Sequence, residues 1–396
     1  MKALILFILL IFCSCSNKHN DSSIVLLVSF DGFRYDYMNE INTPNFDFLK
    51  LNGIKAESLA PIFPSFTFPN HYAIATGCYS DKHKILANIF YDFKREELYS
   101  YKKPSTVQDG SWYGCEPIWS TVERNNMKSA SYFWVGSEAE IRGFRPSIYK
   151  NYKNGVNPYA KVDTVIKWLD NNENKEIPSL VTLYFNEPDH AGHVYGPYDN
   201  RTKLEIARSD SILGYLLNSI NTSELKDRIN IIVVSDHGME EVSNNKIINI
   251  GKYIDENKFD IYDNGPIVQL YSKDVKNIPY LSKNLIPNVE IFTKQNLPDR
   301  FRFKTYNTGD YILLADSGWM MYNGDKTNSV KGMHGYDPNE FNMHGIFYAY
   351  GPKFKQNQVI DTFELIHIYP LICKILNISP YSEIDGDINV LNGILK

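Results

Sequence analysis

The sequence lacks the features that would place it outside the ordinary globular proteins. Only 5 of its 396 residues are cysteine, which excludes a small fold built on dense disulfides. Positive charge is not in excess, since 41 basic residues stand against 46 acidic ones, so no footprint for nucleic acid is evident. The hydrophobic share of 43% and the charged share of 22% exclude a disordered or fibrous chain and indicate a large folded core.

Long apolar runs are also missing, and the run that comes nearest lies at the N-terminus. Ala3–Phe12 is too short to cross a bilayer as a helix, but the lysine before it and the small residues after it are typical of a secretory signal. Ser14-Cys15 resembles the lipidation site of a bacterial lipoprotein, with Cys13 as the alternative acceptor and plain cleavage as the alternative outcome.

These features predict a lipoprotein-like signal peptide over residues 1–15 and a linker over residues 16–23. They also predict an exported protein, periplasmic or at the cell surface, that is held to a membrane through lipid on Cys15.

The remaining chain, over residues 24–390, alternates between two patterns. Short apolar runs rich in β-branched and aromatic residues are typical of buried strands. The runs are Ile24–Phe30, Leu180–Phe185, Ile231–Val234, Tyr311–Ala315 and Ile346–Tyr350. Apolar residues spaced three and four apart predict helices at Pro117–Arg124, Ala160–Leu169 and Arg201–Asn218. The alternation predicts an α/β domain with a mainly parallel sheet, and a change of composition predicts a smaller lobe near residues 255–310.

Metal-binding side chains follow several of these strands. Open α/β sheets bind ligands at the carboxyl ends of their strands, so side chains that follow different strands should meet there. The candidates are Asp31, Asp189, His193, Asp236 and His237, with His334 from a later glycine-rich segment. Aspartate with histidine suits zinc or a similar metal, and this number of ligands suits two sites of three ligands each. Each motif alone would also fit a turn or a cap, but their recurrence favours metal binding.

A hydroxyl group is predicted beside these residues. In the segment P-S-F-T-F-P-N-H-Y, Pro69 suits the first turn of a helix that ends near Gly77. Thr67 would then lie at the helix start, where backbone N–H groups and the helix dipole stabilise anions. Near a metal such a hydroxyl can ionise and attack phosphorus. The alternative is that Thr67 only caps the helix.

Taken together, these stretches resemble the nucleotide pyrophosphatase/phosphodiesterase family of the alkaline phosphatase superfamily. The matching segments are D-G-F-R at 31–34, T-P-N-F at 43–46, F-P-S-F-T-F-P-N-H-Y at 63–72, A-T-G-C-Y at 75–79, E-P-I-W at 116–119, F-W-V-G-S-E at 133–138, R-P-S-I-Y at 145–149, E-P-D-H-A-G-H-V-Y-G-P at 187–197, S-D-H-G-M at 235–239 and H-G-Y-D at 334–337. The resemblance implies an alkaline phosphatase-like fold, with a mainly parallel central sheet flanked by helices and a smaller inserted lobe.

The resemblance also implies a two-zinc phosphotransfer enzyme and assigns its residues. One ion would be held by Asp189, His193 and His334, and the other by Asp31, Asp236 and His237, with the nucleophile Thr67 on that same ion. Asn88 would donate to a phosphate oxygen, and Phe68 would stack a nucleotide base against Tyr152, with Tyr149 as the alternative partner.

The chain departs from the family pattern at three positions. Phe66 stands where a lysine is common, which affects the preference for a terminal phosphate rather than the chemistry. Cys78 and Cys115 stand where other residues are usual, and both lie in loop-like contexts. An exported compartment permits a bridge between them, which we predict although the sequence does not give their separation.

The expected activity is hydrolysis of nucleotide phosphodiesters and pyrophosphates through a phospho-threonine intermediate, with release of nucleoside 5′-monophosphates. The substrate would be a nucleotide or another small phosphodiester, and no protein partner is predicted. The rivals are a phosphomonoesterase or a lysophospholipid or choline-phosphate diesterase of the same superfamily, and a non-catalytic surface binding protein.

Overall fold

The computed structural model describes residues 22–170, 176–324, 330–381 and 383–396. The predicted signal peptide, almost all of the predicted linker and the predicted lipidation site Cys15 lie outside the described residues. Within the described ranges, no helix combines the length and the apolar character that a bilayer crossing requires.

The strands are short and spread along the whole chain. They are β1 (Ile24–Phe30), β2 (Ile54–Ala56), β3 (Leu59–Ala60), β4 (Ile89–Asp92), β5 (Glu97–Ser100), β6 (Ser129–Tyr132), β7 (Ile148–Lys150), β8 (Leu180–Phe185), β9 (Ile229–Val234), β10 (Glu240–Glu241), β11 (Ile247–Asn249), β12 (Phe259–Asp263), β13 (Ile267–Ser272), β14 (Val289–Thr293), β15 (Tyr311–Ala315), β16 (Met320–Tyr322), β17 (Gly332–Met333), β18 (Phe347–Tyr350), β19 (Gln358–Ile360) and β20 (Phe363–Glu364).

The helices lie mainly between strands of the central sheet. They are α1 (Pro44–Asn52), α2 (Thr67–Thr76), α3 (Ser80–His83), α4 (Pro104–Val107), α5 (Ile118–Arg124), α6 (Pro158–Leu169), α7 (Asp189–Tyr195), α8 (Asn200–Asn221) and α9 (Ile368–Leu376). Local chemistry sets several ends. The Asn157 and Asp199 side chains accept from backbone N–H groups at the starts of α6 and α8, and Gly77 ends α2 in the left-handed conformation.

The central sheet has eight strands in the order β19-β2-β18-β9-β1-β8-β6-β7. Its middle, from β9 through β1 and β8 to β6, is parallel, and β18 runs antiparallel to its neighbours β9 and β2. The predicted α/β fold with a mainly parallel sheet is therefore confirmed. The predicted run Ile346–Tyr350 contains β18. Its apolar residues predicted that the strand is buried, but they did not predict that it runs antiparallel to its neighbours.

Strand β1 shows why this sheet has a core on each face. Val25 and Leu27 pack into one hydrophobic cluster, with helices α2, α5 and α9. The alternate residues Leu26 and Val28 pack into the other, with helices α1, α6 and α8. Because successive side chains in a strand point to opposite faces, an unbroken apolar run is required where both faces are covered.

A second sheet lies in the part of the chain where the sequence predicts a smaller lobe. Strands β12, β13, β15 and β14 form a four-stranded antiparallel sheet with its own hydrophobic cluster. The run Tyr311–Ala315, which we expected among the strands of the main α/β pattern, is β15 of this sheet. An apolar run of this length reports burial, but it does not report which sheet buries it.

The predicted bridge between Cys78 and Cys115 is confirmed. Their Cα atoms lie 6.8 Å apart, and the bridge joins the end of α2 to the turn before α5. Cys78 has 0% and Cys115 6% of its surface exposed, so the bridge is buried. Among the described cysteines, Cys373 is the unpaired one, and it is also buried.

Replacing both bridged cysteines with alanine should lower the free energy of unfolding by about 3–4 kcal/mol, because the unfolded chain gains the freedom of the opened loop. Unfolding in guanidinium chloride measures the change. Cys373→Ala is the matched control, since it removes a buried thiol without opening a loop. A double variant no less stable than this control would contradict the prediction.

Candidate active site

Three aspartates meet at one edge of the central sheet. Asp31 follows β1, Asp189 begins the helix after β8, and Asp236 lies two residues after β9. Strands β8, β1 and β9 are adjacent and parallel, so their carboxyl ends lie side by side. The sequence places these residues far apart, and the sheet order brings them together.

A glycine makes the close approach of two of these segments possible. Gly32 has a φ of +65°, and a Cβ atom there would lie 2.8 Å from Cα and Cβ of Asp189. Its backbone N–H donates to Oδ1 of Asp236 at 3.2 Å. Any larger residue would push the Asp31 and Asp189 segments apart.

The first group of ligand candidates is Asp189, His193 and His334, whose ligand atoms lie within 4.8 Å of one another. His193 lies one helical turn after Asp189 in α7, which puts both on the same face of the helix. His334 arrives from another direction, because β17 directly before it pairs antiparallel with β10, a few residues after His237. His237 and His334 consequently stack, with ring centroids 3.5 Å apart.

The second group surrounds His237. Its Nε2 lies 3.0 Å from Oδ2 of Asp236, 3.4 Å from Oδ1 of Asp31 and 3.2 Å from Oγ1 of Thr67. The grouping is not as separate as the sequence suggested, because Asp189 also falls within 4.8 Å of Asp31 and His237.

Each of the three histidines is oriented by a backbone carbonyl. Nδ1 of His193 lies 2.8 Å from the Gly332 oxygen, Nδ1 of His237 lies 2.8 Å from the Gly238 oxygen, and Nδ1 of His334 lies 2.9 Å from the Ser65 oxygen. A carbonyl only accepts, so Nδ1 carries a proton and Nε2 is the ring atom that faces the carboxylates. This is how proteins orient histidine ligands to metals.

The carboxylates attract positive charge. Oδ1 of Asp31, Oδ1 of Asp189 and Oδ2 of Asp236 are buried and find no hydrogen-bond donor in the described part of the chain. Burial, together with the charges of Asp236 and Asp189, raises the pKa of Asp31 well above its usual range. Against the effect of burial, Asp236 raises the pKa of His237. Carboxylate oxygens and imidazole nitrogens without donors of their own fit a borderline divalent cation such as zinc.

His71, in the segment F-P-S-F-T-F-P-N-H-Y, also contacts this cluster. Its Nδ1 lies 3.0 Å from the Thr67 carbonyl and 3.2 Å from Oδ2 of Asp236, and its Nε2 lies 2.8 Å from Oγ of Ser29. The carbonyl shows that Nδ1 carries the proton, which it donates to the Thr67 oxygen, and the His71 ring lies against the Asp236 carboxylate. In the sequence, the feature that indicates this role is the position of His71 four residues after Thr67 on the same helix.

Thr67 is the first residue of α2, and the preceding Phe66 occupies the cap position. The Thr67 side chain makes no capping hydrogen bond and instead points to His237, so the helix-cap alternative does not describe it. The hydroxyl therefore lies where the positive end of a ten-residue helix meets the histidines and carboxylates.

A cavity of about 410 Å³ opens from this cluster and combines polar groups at one end with aromatic walls. Its lining residues are Asp31, Thr67, Phe68, Asn88, Tyr101, Val107, Phe133, Trp134, Val135, Gly136, Glu138, Tyr152, Asn154, Tyr184, Asn186, Asp189, His190, His193 and His334. Asp236 and His237 lie behind this lining and are fully buried.

Phe68 and Asn88 form one wall of the cavity. Asn88 Oδ1 accepts from the Phe68 backbone N–H at 2.9 Å, which leaves its amide N–H groups available as donors. The Phe68 ring packs against Tyr99 and Tyr101, with centroids 6.3 Å and 5.7 Å away, and it also faces the cavity.

A second group of lining residues is also aromatic. Tyr152 lies 5.1 Å from Phe133 and 6.4 Å from Tyr184 between ring centroids, and all three line the cavity. Tyr149, the alternative to Tyr152, lies in β7 under the Arg145 side chain and is not part of the lining.

Tyr184 was not singled out from the sequence. Its hydroxyl donates to Oδ2 of Asp31 at 2.5 Å. The one sequence feature that could have identified Tyr184 as a site residue is its position near the end of β8.

Phe66 lies outside the cavity lining and is 4% exposed. Its ring meets the His334 ring edge-on at 5.9 Å, and a Cβ atom on Gly335 would lie 2.2 Å from it. The residue before Thr67 is therefore an apolar support for the His334 segment.

Comparison with known proteins identifies relatives of the same kind. A family model described as type I phosphodiesterase / nucleotide pyrophosphatase matches residues 25–337. Venom phosphodiesterase CdcPDE of Crotalus durissus collilineatus is 36% identical over 95% of the chain, but the chain spans only 47% of that protein, about half its length. Ectonucleotide pyrophosphatase/phosphodiesterase family member 7 of Rattus norvegicus is 33% identical over 94% of the chain and 87% of its own length.

Solved structures agree with these matches. Murine ectonucleotide pyrophosphatase/phosphodiesterase 5, solved as an inactive threonine-to-alanine variant in complex with AMP, aligns with a TM-score of 0.88 at 29% identity, covering 94% of this chain and 100% of that one. The human counterpart aligns with a TM-score of 0.89 at 30% identity.

Metal binding by this cluster of aspartates and histidines can be tested without measuring enzymatic activity. Removing bound metal with a chelator should lower the thermal midpoint of unfolding, because the buried carboxylates then repel one another, and Zn²⁺ should restore it. Asp189→Asn should reduce the metal retained after dialysis, measured by elemental analysis. Glu187→Gln, which changes a nearby carboxylate that accepts from the Ala191 N–H, is the control and should retain metal. Equal metal content in the two variants would contradict this assignment.

Proposed function

The chain belongs to the type I phosphodiesterase / nucleotide pyrophosphatase family, and on this premise we propose that it is a hydrolase of nucleotide phosphodiester and pyrophosphate bonds. It would act through two bound zinc ions and a phospho-threonine intermediate, and it would release nucleoside 5′-monophosphates. The observation that carries the proposal is the Thr67 hydroxyl, which lies 3.2 Å from Nε2 of His237 in the wall of a cavity with aromatic sides.

The residues divide into two metal sites in this proposal. Asp189, His193 and His334 would hold one ion, and Asp31, Asp236 and His237 the other. When bound, the ions would supply positive charge that lowers the pKa of a nearby hydroxyl and stabilises charge on phosphate oxygens. Tyr184 would keep Asp31 in place through its hydrogen bond, and the His71 ring would support Asp236 by contact.

Thr67 would carry the covalent step. The Thr67 hydroxyl loses its proton to solvent water and its oxygen attacks phosphorus, the bond from phosphorus to the leaving oxygen breaks, and that oxygen takes a proton back from solvent. A water molecule then cleaves the phospho-threonine, which releases the monophosphate and returns the proton to Thr67. Asn88, whose carbonyl oxygen is held by the Phe68 N–H, would donate from its amide to a non-bridging phosphate oxygen.

The aromatic walls would select the substrate. Phe68 packs on Tyr101 and Tyr152 packs on Phe133, and all four rings line the cavity, where they would offer ring faces to a flat base. The murine structural neighbour was solved in complex with AMP, which supports a nucleotide as the ligand of this cavity.

One observation favours a second candidate, a choline-phosphate diesterase. The carboxylate of Glu138 lies among these rings, and aromatic faces with an acidic group also suit a quaternary ammonium ion.

We also propose a location for the protein from the names of its relatives. Relatives named as venom and ectonucleotide enzymes support a place outside the cytoplasm, while the lipid anchor on Cys15 stays a prediction.

Thr67→Ala should reduce turnover of a dinucleotide by at least about a thousandfold, because the attacking oxygen is gone. Metal content and thermal midpoint should stay close to those of the parent protein, since the side chain makes no capping bond. Thr67→Ser keeps a hydroxyl and should retain measurable turnover. Turnover of the alanine variant within tenfold of the parent would remove Thr67 from the mechanism.

Phe68→Ala should reduce kcat/KM for a dinucleotide by about ten- to hundredfold, the range expected for losing one base-stacking ring. The loss should be small for methyl p-nitrophenyl phosphate, which reacts at the same phosphorus but has no base. Phe68→Tyr keeps a flat ring and serves as the control. Equal losses on both substrates would show that Phe68 supports the fold of the wall and does not bind a base.

A further inference from the structure

Ser65 is a buried residue two positions before Thr67, and the chemistry described above does not use it. Its hydroxyl donates to the Tyr336 carbonyl at 2.8 Å, and the same oxygen accepts from the Gly335 backbone N–H at 3.1 Å. The Ser65 carbonyl accepts from Nδ1 of His334 at 2.9 Å. Ser65 therefore contacts three consecutive residues of one segment, and that segment carries a candidate metal ligand.

The Ser65 hydroxyl fixes this segment in direction as well as in position. Because the Tyr336 carbonyl can only accept, the hydroxyl hydrogen points at it, and a lone pair of the same oxygen remains for the Gly335 N–H. The two bonds come from adjacent residues and meet at one atom. A shift of the segment along the loop would break at least one of them and leave a buried polar group without that partner, which costs free energy.

The backbone around His334 has little regular structure of its own. Strand β17, directly before it, has only two residues, and Gly335 after it has a φ of +109°, a conformation that favours glycine. The Phe66 ring packs on Gly335 and leaves no room for a Cβ atom there. Beyond the pairing of β17 with β10, the position of His334 therefore depends on its contacts with the loop before Thr67.

The loop that carries Ser65 is in turn tied to helix α2. The Asn70 side chain is 0% exposed and donates to the carbonyls of Pro64 at 2.9 Å and Phe66 at 2.8 Å. Asn70 lies in the first turn of the helix that begins at Thr67. Ser65 is thus fixed relative to the Thr67 hydroxyl, and its own hydroxyl relates that position to the histidine segment.

We propose that Ser65 is a positioning residue whose hydroxyl sets the place of His334 relative to Thr67. This inference rests on the proposed function, in which the two residues serve different ions that act on the same phosphate. An in-line displacement needs the attacking oxygen and the charge at the leaving oxygen at a fixed separation. Loss of the hydroxyl would displace the His334 backbone and weaken the binding of the ion that His334 shares with Asp189 and His193.

The variant Ser65→Ala isolates the hydroxyl. It removes the bonds to Gly335 and Tyr336 but keeps the backbone carbonyl, so the hydrogen bond that orients the His334 ring remains available. The affinity for one of the two zinc ions should fall by about ten- to hundredfold, the range typical of residues that support a metal ligand. Competition with a chromophoric chelator measures this affinity without an activity assay.

Ser80→Ala is the matched control for a general loss of stability. Ser80 is also 0% exposed, and its hydroxyl donates to the Phe63 carbonyl of the same loop at 2.8 Å. Both variants should lower the thermal midpoint by a few degrees, since each removes buried hydrogen bonding. Zinc affinity should fall in Ser65→Ala and stay at the parent value in Ser80→Ala. Ser65→Thr keeps a hydroxyl and should retain more of the affinity than Ser65→Ala.

Two further measurements show that Ser65 acts through His334. The zinc concentration that gives half-maximal turnover of a dinucleotide should rise in Ser65→Ala by the same factor as the dissociation constant. In His334→Ala the ligand that Ser65 positions is gone, so adding Ser65→Ala should change the affinity for the remaining zinc by less than about twofold. A loss there as large as in the parent background would show that Ser65 does not act through His334.

The outcomes separate this inference from the proposed function. If the parent protein binds two zinc ions and hydrolyses the dinucleotide, but Ser65→Ala binds both ions with the parent affinities, Ser65 only fills the core and the proposed function stands. Equal losses of zinc affinity in Ser65→Ala and Ser80→Ala also overturn the inference, because the stability of the loop then explains them. A parent protein that binds no zinc overturns both, since His334 is then not a ligand.

Discussion

The mutual repulsion of three clustered carboxylates, two of them buried, is the constraint on which the rest of this structure depends. Asp31, Asp189 and Asp236 follow adjacent parallel strands, so the sheet itself places like charges side by side at a shielded edge. Such a cluster is costly unless positive charge neutralises it. Burial and the charges of Asp236 and Asp189 raise the pKa of Asp31, and against the effect of burial Asp236 raises the pKa of His237. A bound divalent metal would neutralise the same negative charges, and the Nε2 atoms of the histidines already face the carboxylates.

Helix α2 connects this charged edge to other parts of the cavity. Helix α2 presents the Thr67 hydroxyl at its N-terminus, directs His71 toward Asp236 one turn later, and accepts the Trp134 indole N–H through the His71 carbonyl. The bridge from Cys78 to Cys115 holds the segment after the helix. The Thr67 hydroxyl, the His71 ring beside Asp236 and the turn that carries Glu138 are therefore all attached to one helix. A catalytic geometry requires such fixed relative positions.

The cavity separates reaction from recognition. At one end lie the carboxylates, the histidines and the Thr67 hydroxyl, which in the proposed function would contact only the phosphate of a substrate. Recognition of a base would fall to the rings of Phe68, Tyr101, Tyr152 and Phe133, and ring faces do not distinguish strongly between bases. This division allows members of one fold to share a mechanism and differ in substrate.

The sequence by itself determined the local features of this protein. An apolar run followed by aspartate predicted β1, β8 and β9 with their ligand candidates, because strand burial and the position of the carboxyl end are properties of short segments. Pro69 and Gly77 likewise predicted the limits of the helix that begins at Thr67. Only the tertiary structure decided that Tyr311–Ala315 pairs in the small antiparallel sheet, and that His71, Tyr184 and Glu138 belong to the site. Strand order and side-chain hydrogen bonds join residues far apart in the chain, and a periodic pattern of burial carries no information about which distant partner a buried group meets.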